Sequence, residues 1–179
     1  GKTVVAAVSM YISTKNNSQS VLLCPTEVLA EQHYKNFTEW FENTNIKIEL
    51  LTGKMSVVIR KDIYQRLGEG KIDILIGTHA VFQDKVKIKN LGLVIVDEQQ
   101  RFGVKQRFDL VKKSSNKIMP HQLFMTATPI PRTLAMTIFA DLDVSKIDEM
   151  PPGRKPVETL VFSDKKKNEI VKRLENVCS

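Results

Sequence analysis

Leu91-Gly-Leu-Val-Ile-Val-Asp-Glu-Gln-Gln-Arg-Phe-Gly-Val104 decides how the rest of the chain is read. Its apolar run, Leu93 to Val96, stops abruptly at two carboxylates, Asp97 and Glu98. A short run with no polar alternation fits a strand covered on both faces, the kind a parallel sheet needs. Open α/β sheets bind ligands beyond the carboxyl ends of their strands, which is where the two acids fall. Paired acids there can share the work of nucleotide hydrolysis, the first holding Mg2+ and the second taking a proton from the attacking water. By itself the pair is also compatible with an acidic turn closing a core strand.

Outward from that strand, the spacing predicts more of the same architecture. Ser20 to Cys24 reads as a buried strand ended by Pro25-Thr26, and a helix follows with Leu29, Ala30, His33, Tyr34, Phe37, Trp40 and Phe41 on one stripe. These aromatics are expected in the core, and His33 is expected to be a packed helix residue. Ile46 to Leu51 reads as a strand ending in Thr52-Gly53. A helix over 56–67 then turns Val58, Ile59, Ile63 and Leu67 inward, and Gly68 with Gly70 stops it. Ile72 to Ile76 is a further strand, ending in Gly77-Thr78-His79. Residues 121–126 are another, running into Thr126-Ala-Thr-Pro-Ile-Pro-Arg-Thr133 and a helix through about Ala140. Helices are also expected over 106–113 and from the N-terminal Gly1-Lys2-Thr3 onward, where Val4, Val5, Val8, Tyr11 and Ile12 have helical spacing. Val144 to Ile147 reads as a last strand.

Three strand ends thus carry Pro-Thr, Thr-Gly and Gly-Thr-His. Each could be only a turn or, at Thr26, a helix N-cap. Along one sheet edge they would form a row of small donors suited to a sugar-phosphate backbone. Gly1-Lys2-Thr3 is the tail of a phosphate-binding loop, whose other glycine would lie upstream of Gly1.

The proline- and glycine-rich stretch from Met150 to Pro156 reads as a linker. The domains expected are therefore 1–150, a linker at 151–156, and the beginning of a second unit at 157–179, with a strand over 157–162 and a helix over 165–177. The chain reads as a fragment of a longer protein, cut within the phosphate loop.

Composition narrows the class. Of 179 residues, 42% are hydrophobic and 26% charged, as in ordinary globular proteins. No apolar run approaches the roughly 20 residues of a membrane span, and no secretory leader is visible. Cys24 and Cys178 lie far apart and the histidines lack ligand spacing, which fits a reducing cytoplasm better than a disulfide or zinc scaffold. The formal charge of +7 permits a polyanionic partner. A lysine-rich composition of the kind an AT-rich genome produces would give the same charge.

Taken in order, Gly-Lys-Thr, Pro-Thr-Glu, Thr-Gly, Gly-Thr-His, Asp-Glu-x-x and Thr-Ala-Thr resemble the first motor lobe of superfamily 2 helicases, across essentially the whole chain. Asp97-Glu-Gln-Gln-Arg-Phe-Gly-Val104 and Met125 to Met136 are similar to the RecG-type helicases, ATP-dependent enzymes that regress forks and migrate branches, and to transcription-repair coupling factors. Phe139-Ala-Asp-Leu-Asp143 and Pro151-Pro-Gly-Arg154 look more like the RecG type.

The resemblance implies a RecA-like P-loop NTPase lobe with a mostly parallel sheet and helices on both faces. It implies ATP and Mg2+ as cofactors and branched DNA as partner, with a second motor lobe and a wedge domain elsewhere in the same protein. Gly1, Lys2 and Thr3 would hold the nucleotide, and Thr3 would share Mg2+ with Asp97. Glu98 would activate water. Thr126 and Thr128, with Gln100 across the cleft, would couple nucleotide state to DNA grip. Gln100 stands where the RecG type usually has His, and it can hydrogen-bond but not become charged. Pro25, Thr26, Thr52, Gly53, Thr78 and His79 would hold DNA by its backbone. A nucleic-acid-binding module that no longer hydrolyses ATP is the alternative, and a small-molecule P-loop kinase leaves the Thr-Ala-Thr stretch without a purpose.

Overall fold

A computed structural model describes residues 1–98, 119–128, 143–149, 153, 159, 161, 163 and 166–178. The chain divides into two compact units, Gly1–Leu142 and Asp143–Ser179. Gln100, the expected helices over 106–113 and after Thr128, and most of the 150–162 stretch lie outside the described residues.

The first unit is built on five parallel strands, β1 (Gln19–Leu23), β2 (Ile48–Leu51), β3 (Ile74–Gly77), β4 (Leu91–Val96) and β5 (His121–Phe124). Their order across the sheet is β2-β3-β1-β4-β5. The expected parallel α/β architecture is what forms.

Each buried strand alternates faces, as the pleat requires. Val21, Leu23, Leu75, Val94 and Val96 join one core with Ile63 and Leu67 of α3 (Val57–Glu69). Leu22, Ile74, Ile76, Leu93 and Ile95 join the other, with Ala6, Ala7 and Met10 of α1 (Lys2–Lys15) and Ala30 and Phe37 of α2 (Glu27–Trp40). Helices therefore cover both faces. Leu91 and Leu93, two apart, nonetheless face opposite cores. The register with β1 slips between Gln19 and Ser20, which places a bulge at Gly92. A Cβ there would stand 2.5 Å from Cβ of Ser18, so only glycine fits the bulge.

Several side-chain expectations are corrected. The helix α1 is present, but Val4, Val5, Val8, Tyr11 and Ile12 are exposed, and the small residues Ala6 and Ala7 face the sheet. A helix lying close over β1 and β4 accommodates alanines better than valines. On α3, Ile63 and Leu67 turn inward as expected, whereas Val58 and Ile59 in its first turn are exposed. Gly68 lies inside α3, and the stop is Gly70, whose φ of 78° permits the left-handed cap that brings Lys71 N–H to Arg66 O. Phe37 and Phe41 are core, but Trp40 is 47% exposed, stacked beside Phe37 at the rim.

In the second unit, residues 143–149 form no strand: Val144 and Ile147 are exposed and no ladder reaches them. A helix, α4 (Lys167–Cys178), is present near where one was expected.

Candidate functional site

Pairing aligns the five strand ends in one row. Leu23 is level with Gly77 and Val96, Gly77 with Leu51, and Val96 with Phe124. The next residues, Thr52, Thr78, Cys24, Asp97 and Met125, continue that row, held by Cys24 N–H to Gly77 O, Asp97 N–H to Leu23 O and Met125 N–H to Val96 O, each at 2.9 Å. Every strand-end motif picked out from the sequence therefore emerges at one edge. The chain leaves β1 toward the β2 side and crosses back over to β4. The gap between the ends of β1 and β4 is then the point of reversal where such sheets hold ligands.

The acidic half of the edge sits at that gap. Asp97 is buried, 8% exposed, and its carboxylate is held from two directions. His33 of α2 donates from Nε2 to Oδ2 at 3.0 Å, and Glu98 N–H donates to Oδ1 at 3.1 Å. An ionised carboxylate accepts at about four lone-pair positions, so two hydrogen bonds leave acceptor capacity on both oxygens. Glu98 has φ of 51°, the left-handed region that costs a residue with a side chain about 1–2 kcal/mol. Strain of this kind is often found at functional sites. Across from it, Thr126 Oγ1 accepts the Thr128 N–H at 3.2 Å and lies 3.3 Å from Thr128 Oγ1, so the two hydroxyls form one compact turn.

Beside the acids, Cys24 is buried as a free thiol. Burial first, and then the negative charge of Asp97, pushes its pKa up to about 12, so it stays neutral.

α1 brings in the phosphate-loop tail. Its C-terminal turn lies at the opposite edge, where Ser13 Oγ donates to Ser18 O and borders Gly92. The helix runs along β1 and β4 for 14 residues, roughly 21 Å. Its N-terminus, with Lys2 and Thr3 half-buried, is thereby directed toward the carboxyl edge.

The other half of the edge gathers the remaining candidates. A Cβ on Gly53 would lie 3.7 Å from His79 Nε2 and 3.6 Å from Glu27 Oε1, so the Thr-Gly, Thr-His and Pro-Thr-Glu strand ends converge. Gly53, His79 and Thr26 are exposed, and Pro25 is half-exposed. Thr52 and Thr78 are buried, and Thr78 Oγ1 has no protein partner. Thr26 caps α2, accepting Leu29 N–H at 3.3 Å. Lys54 pairs with Glu27 at 2.7 Å, and that hydrogen bond, with the lysine's charge, holds Glu27 below the usual carboxylate range.

His33 is packed in α2 as expected, but its bond to Asp97 was not foreseen, because a lone histidine on an apolar stripe carries no motif. The only available signal was its position two turns into the helix that begins at the functional edge.

With this geometry in view, comparison with known proteins is decisive. The DEAD/DEAH box helicase family matches residues 1–137. The chain belongs to that family. Among helicases, it is 49% identical over 179 residues to the ATP-dependent DNA helicase RecG of Pasteurella multocida, covering 99% of this chain and 26% of the relative. The RecG of Escherichia coli K12 is 47% identical, again over 99% of this chain and 26% of the relative. The chain thus spans about a quarter of the length of these relatives. In structure it is similar to RecG bound to a three-way DNA junction, with a TM-score of 0.80 and 42% identity over 97% of this chain and 23% of that one. The yeast DEAD-box splicing factor Prp28, at 20% identity and a TM-score of 0.55 over 78% of this chain and 36% of that one, shares the helicase-lobe fold. Among the described residues no helix is long and apolar enough to cross a membrane.

Proposed function

We propose that this chain is the first motor lobe of an ATP-dependent DNA helicase of the RecG type, acting on branched DNA in the cytoplasm. The observation that carries the reading is the single edge on which a phosphate-loop tail, a held Asp97–Glu98 pair, the Thr126–Thr128 turn and the Gly53–His79 junction all emerge. Similarity to RecG over nearly the whole chain supports the substrate.

In this reading Lys2 neutralises the β- and γ-phosphates, and Glu98 accepts the proton of the attacking water. Mg2+ suits the site, because such ions draw on one or two carboxylates and leave the rest to phosphates and water. Asp97, buried but with lone pairs to spare, would hold it together with Thr3. When bound, the ion supplies neutralisation of the charge that builds on the phosphates. Thr126 and Thr128, with Gln100, relate the nucleotide to the DNA-binding half of the edge. Gly53, His79 and Thr26, with Pro25, Thr52 and Thr78 shaping the backbone, hold one strand by its phosphates. We assign a linker to residues 151–156 and the start of a second motor lobe to residues 157–179. That lobe would bring the transition-state arginine, and a wedge domain elsewhere in the protein would recognise the branch.

The test is ATP turnover by the full-length protein with a three-way junction, with single-stranded DNA and with linear duplex. Strongest stimulation and strand remodelling on the junction are expected. Turnover that no DNA stimulates would contradict the reading.

A further inference from the structure

His33 is buried in a core of apolar side chains, yet its ring is aimed out of that core at one carboxylate. Its side chain is 10% exposed and that of Asp97 is 12% exposed. The ring stands edge-on to Phe37 at 5.9 Å. Nε2 is 3.0 Å from Asp97 Oδ2, while Nδ1 is buried without a protein partner. A packing residue at this position needs no polar atom, and burying one without full satisfaction is costly. The one bond His33 makes is therefore its distinguishing feature. Because an ionised carboxylate can only accept, the proton lies on Nε2.

We propose that His33 is a positioning residue that fixes the Asp97 carboxylate for metal binding, an inference that rests on the nucleotide-site reading. Two donors, His33 Nε2–H on Oδ2 and Glu98 N–H on Oδ1, hold the two oxygens from different elements. The backbone donor sits one residue away and moves with Asp97. The imidazole is anchored in α2 and is independent of the strand, so it is the group that sets the carboxylate's rotation about its side-chain bond. Ligating carboxylates are commonly hydrogen-bonded in this way, and losing the outer partner typically weakens metal binding by roughly 10–100-fold. α2 also begins at Thr26 and Glu27, on the side of the edge beside Gly53 and His79. Seven residues of one helix, about 10 Å, separate that side from His33.

The experiment titrates MgCl2 against binding of a fluorescent ATP analogue to the full-length protein, comparing wild type, His33→Leu, His33→Gln and Asp97→Ala. Leu fills the ring's volume without a donor, and Gln can place an amide N–H near the Nε2 position. His33→Leu is expected to raise the Mg2+ concentration at half-saturation by roughly tenfold or more. His33→Gln is expected to restore most of that loss, and Mg2+-free nucleotide binding is expected to be unchanged in both. If Asp97→Ala abolishes the Mg2+ dependence while His33→Leu leaves it as in wild type, the positioning role is overturned and the nucleotide site stands. If Asp97→Ala changes nothing, the nucleotide site itself fails. Should His33→Leu not fold, His33→Met, which likewise lacks a donor, carries the test: a Mg2+ midpoint raised roughly tenfold supports positioning, and one at the wild-type value overturns it.

Discussion

Gly77 lies so close to Leu51 that a Cβ on it would stand 2.5 Å from the Leu51 carbonyl oxygen and 2.7 Å from Val81 Cγ2. That carbonyl also accepts the Thr78 N–H, so β2 and β3 are clamped together just before Thr52-Gly53 and Thr78-His79 emerge. Gly77→Ala must push backbone away from backbone, since the obstructing atom is not a flexible side-chain tip. Overpacking of this kind costs about 1–3 kcal/mol. Chemical denaturation should show that loss, with weaker DNA binding because Gly53 and His79 separate. Wild-type stability in the alanine variant would refute the close approach.

At Thr26 the helix-cap role and the DNA role can be separated. Asp caps a helix about as well as Thr, so Thr26→Asp should keep unfolding stability within about 0.5 kcal/mol of wild type. It also places a negative charge where a phosphate would approach. DNA affinity should fall, equally for different sequences, because threonine and glycine donors read backbone and not bases. Wild-type affinity should itself decline with rising salt. Undiminished binding by Thr26→Asp, or strong sequence discrimination, would show that this end of the edge does not hold the phosphates.

The fold was readable because burial on both faces leaves a plain mark: Leu93 to Val96 has no polar alternation, and it lies in a buried strand flanked by β1 and β5, as expected. The edge was readable because short polar motifs recur after each strand, and strand pairing alone then aligns them. What could not be read is which side of a helix meets the sheet. Val4, Val5 and Val8 are more apolar than Ala6 and Ala7, but close approach to β1 and β4 selects the smaller side chains. Val144 and Ile147 suggested a strand by composition, yet a strand exists only where a partner supplies the ladder. His33 was hidden for a related reason: its partner is far away in sequence, and only the fold brings them together.

The buried thiol gives a pH signature. Cys24 is raised from 9.0 to about 12, so between those values the unfolded chain has lost this proton while the folded chain keeps it. The folded state binds more protons there, and stability must fall as pH rises, by about 1.4 kcal/mol per pH unit from this group. In a Cys178→Ser background, Cys24→Ala should therefore gain stability relative to Cys24 above about pH 9, and not near neutrality. A difference that stays flat to about pH 11 would mean that Cys24 is not sealed in the core beside Asp97.

The most direct test of the account separates the two acids at the end of β4 in the full-length protein. Nucleotide binding with and without Mg2+, measured beside steady-state ATP turnover, should distinguish Asp97→Ala from Glu98→Gln. Asp97→Ala should lose the Mg2+-dependent part of binding, because a metal ligand is gone. Glu98→Gln should bind Mg2+ and nucleotide nearly as wild type, while turnover falls by at least about 100-fold, the scale of general-base catalysis. Full turnover in both variants would show the pair to be a structural turn, and the edge of this sheet would not be a nucleotide site.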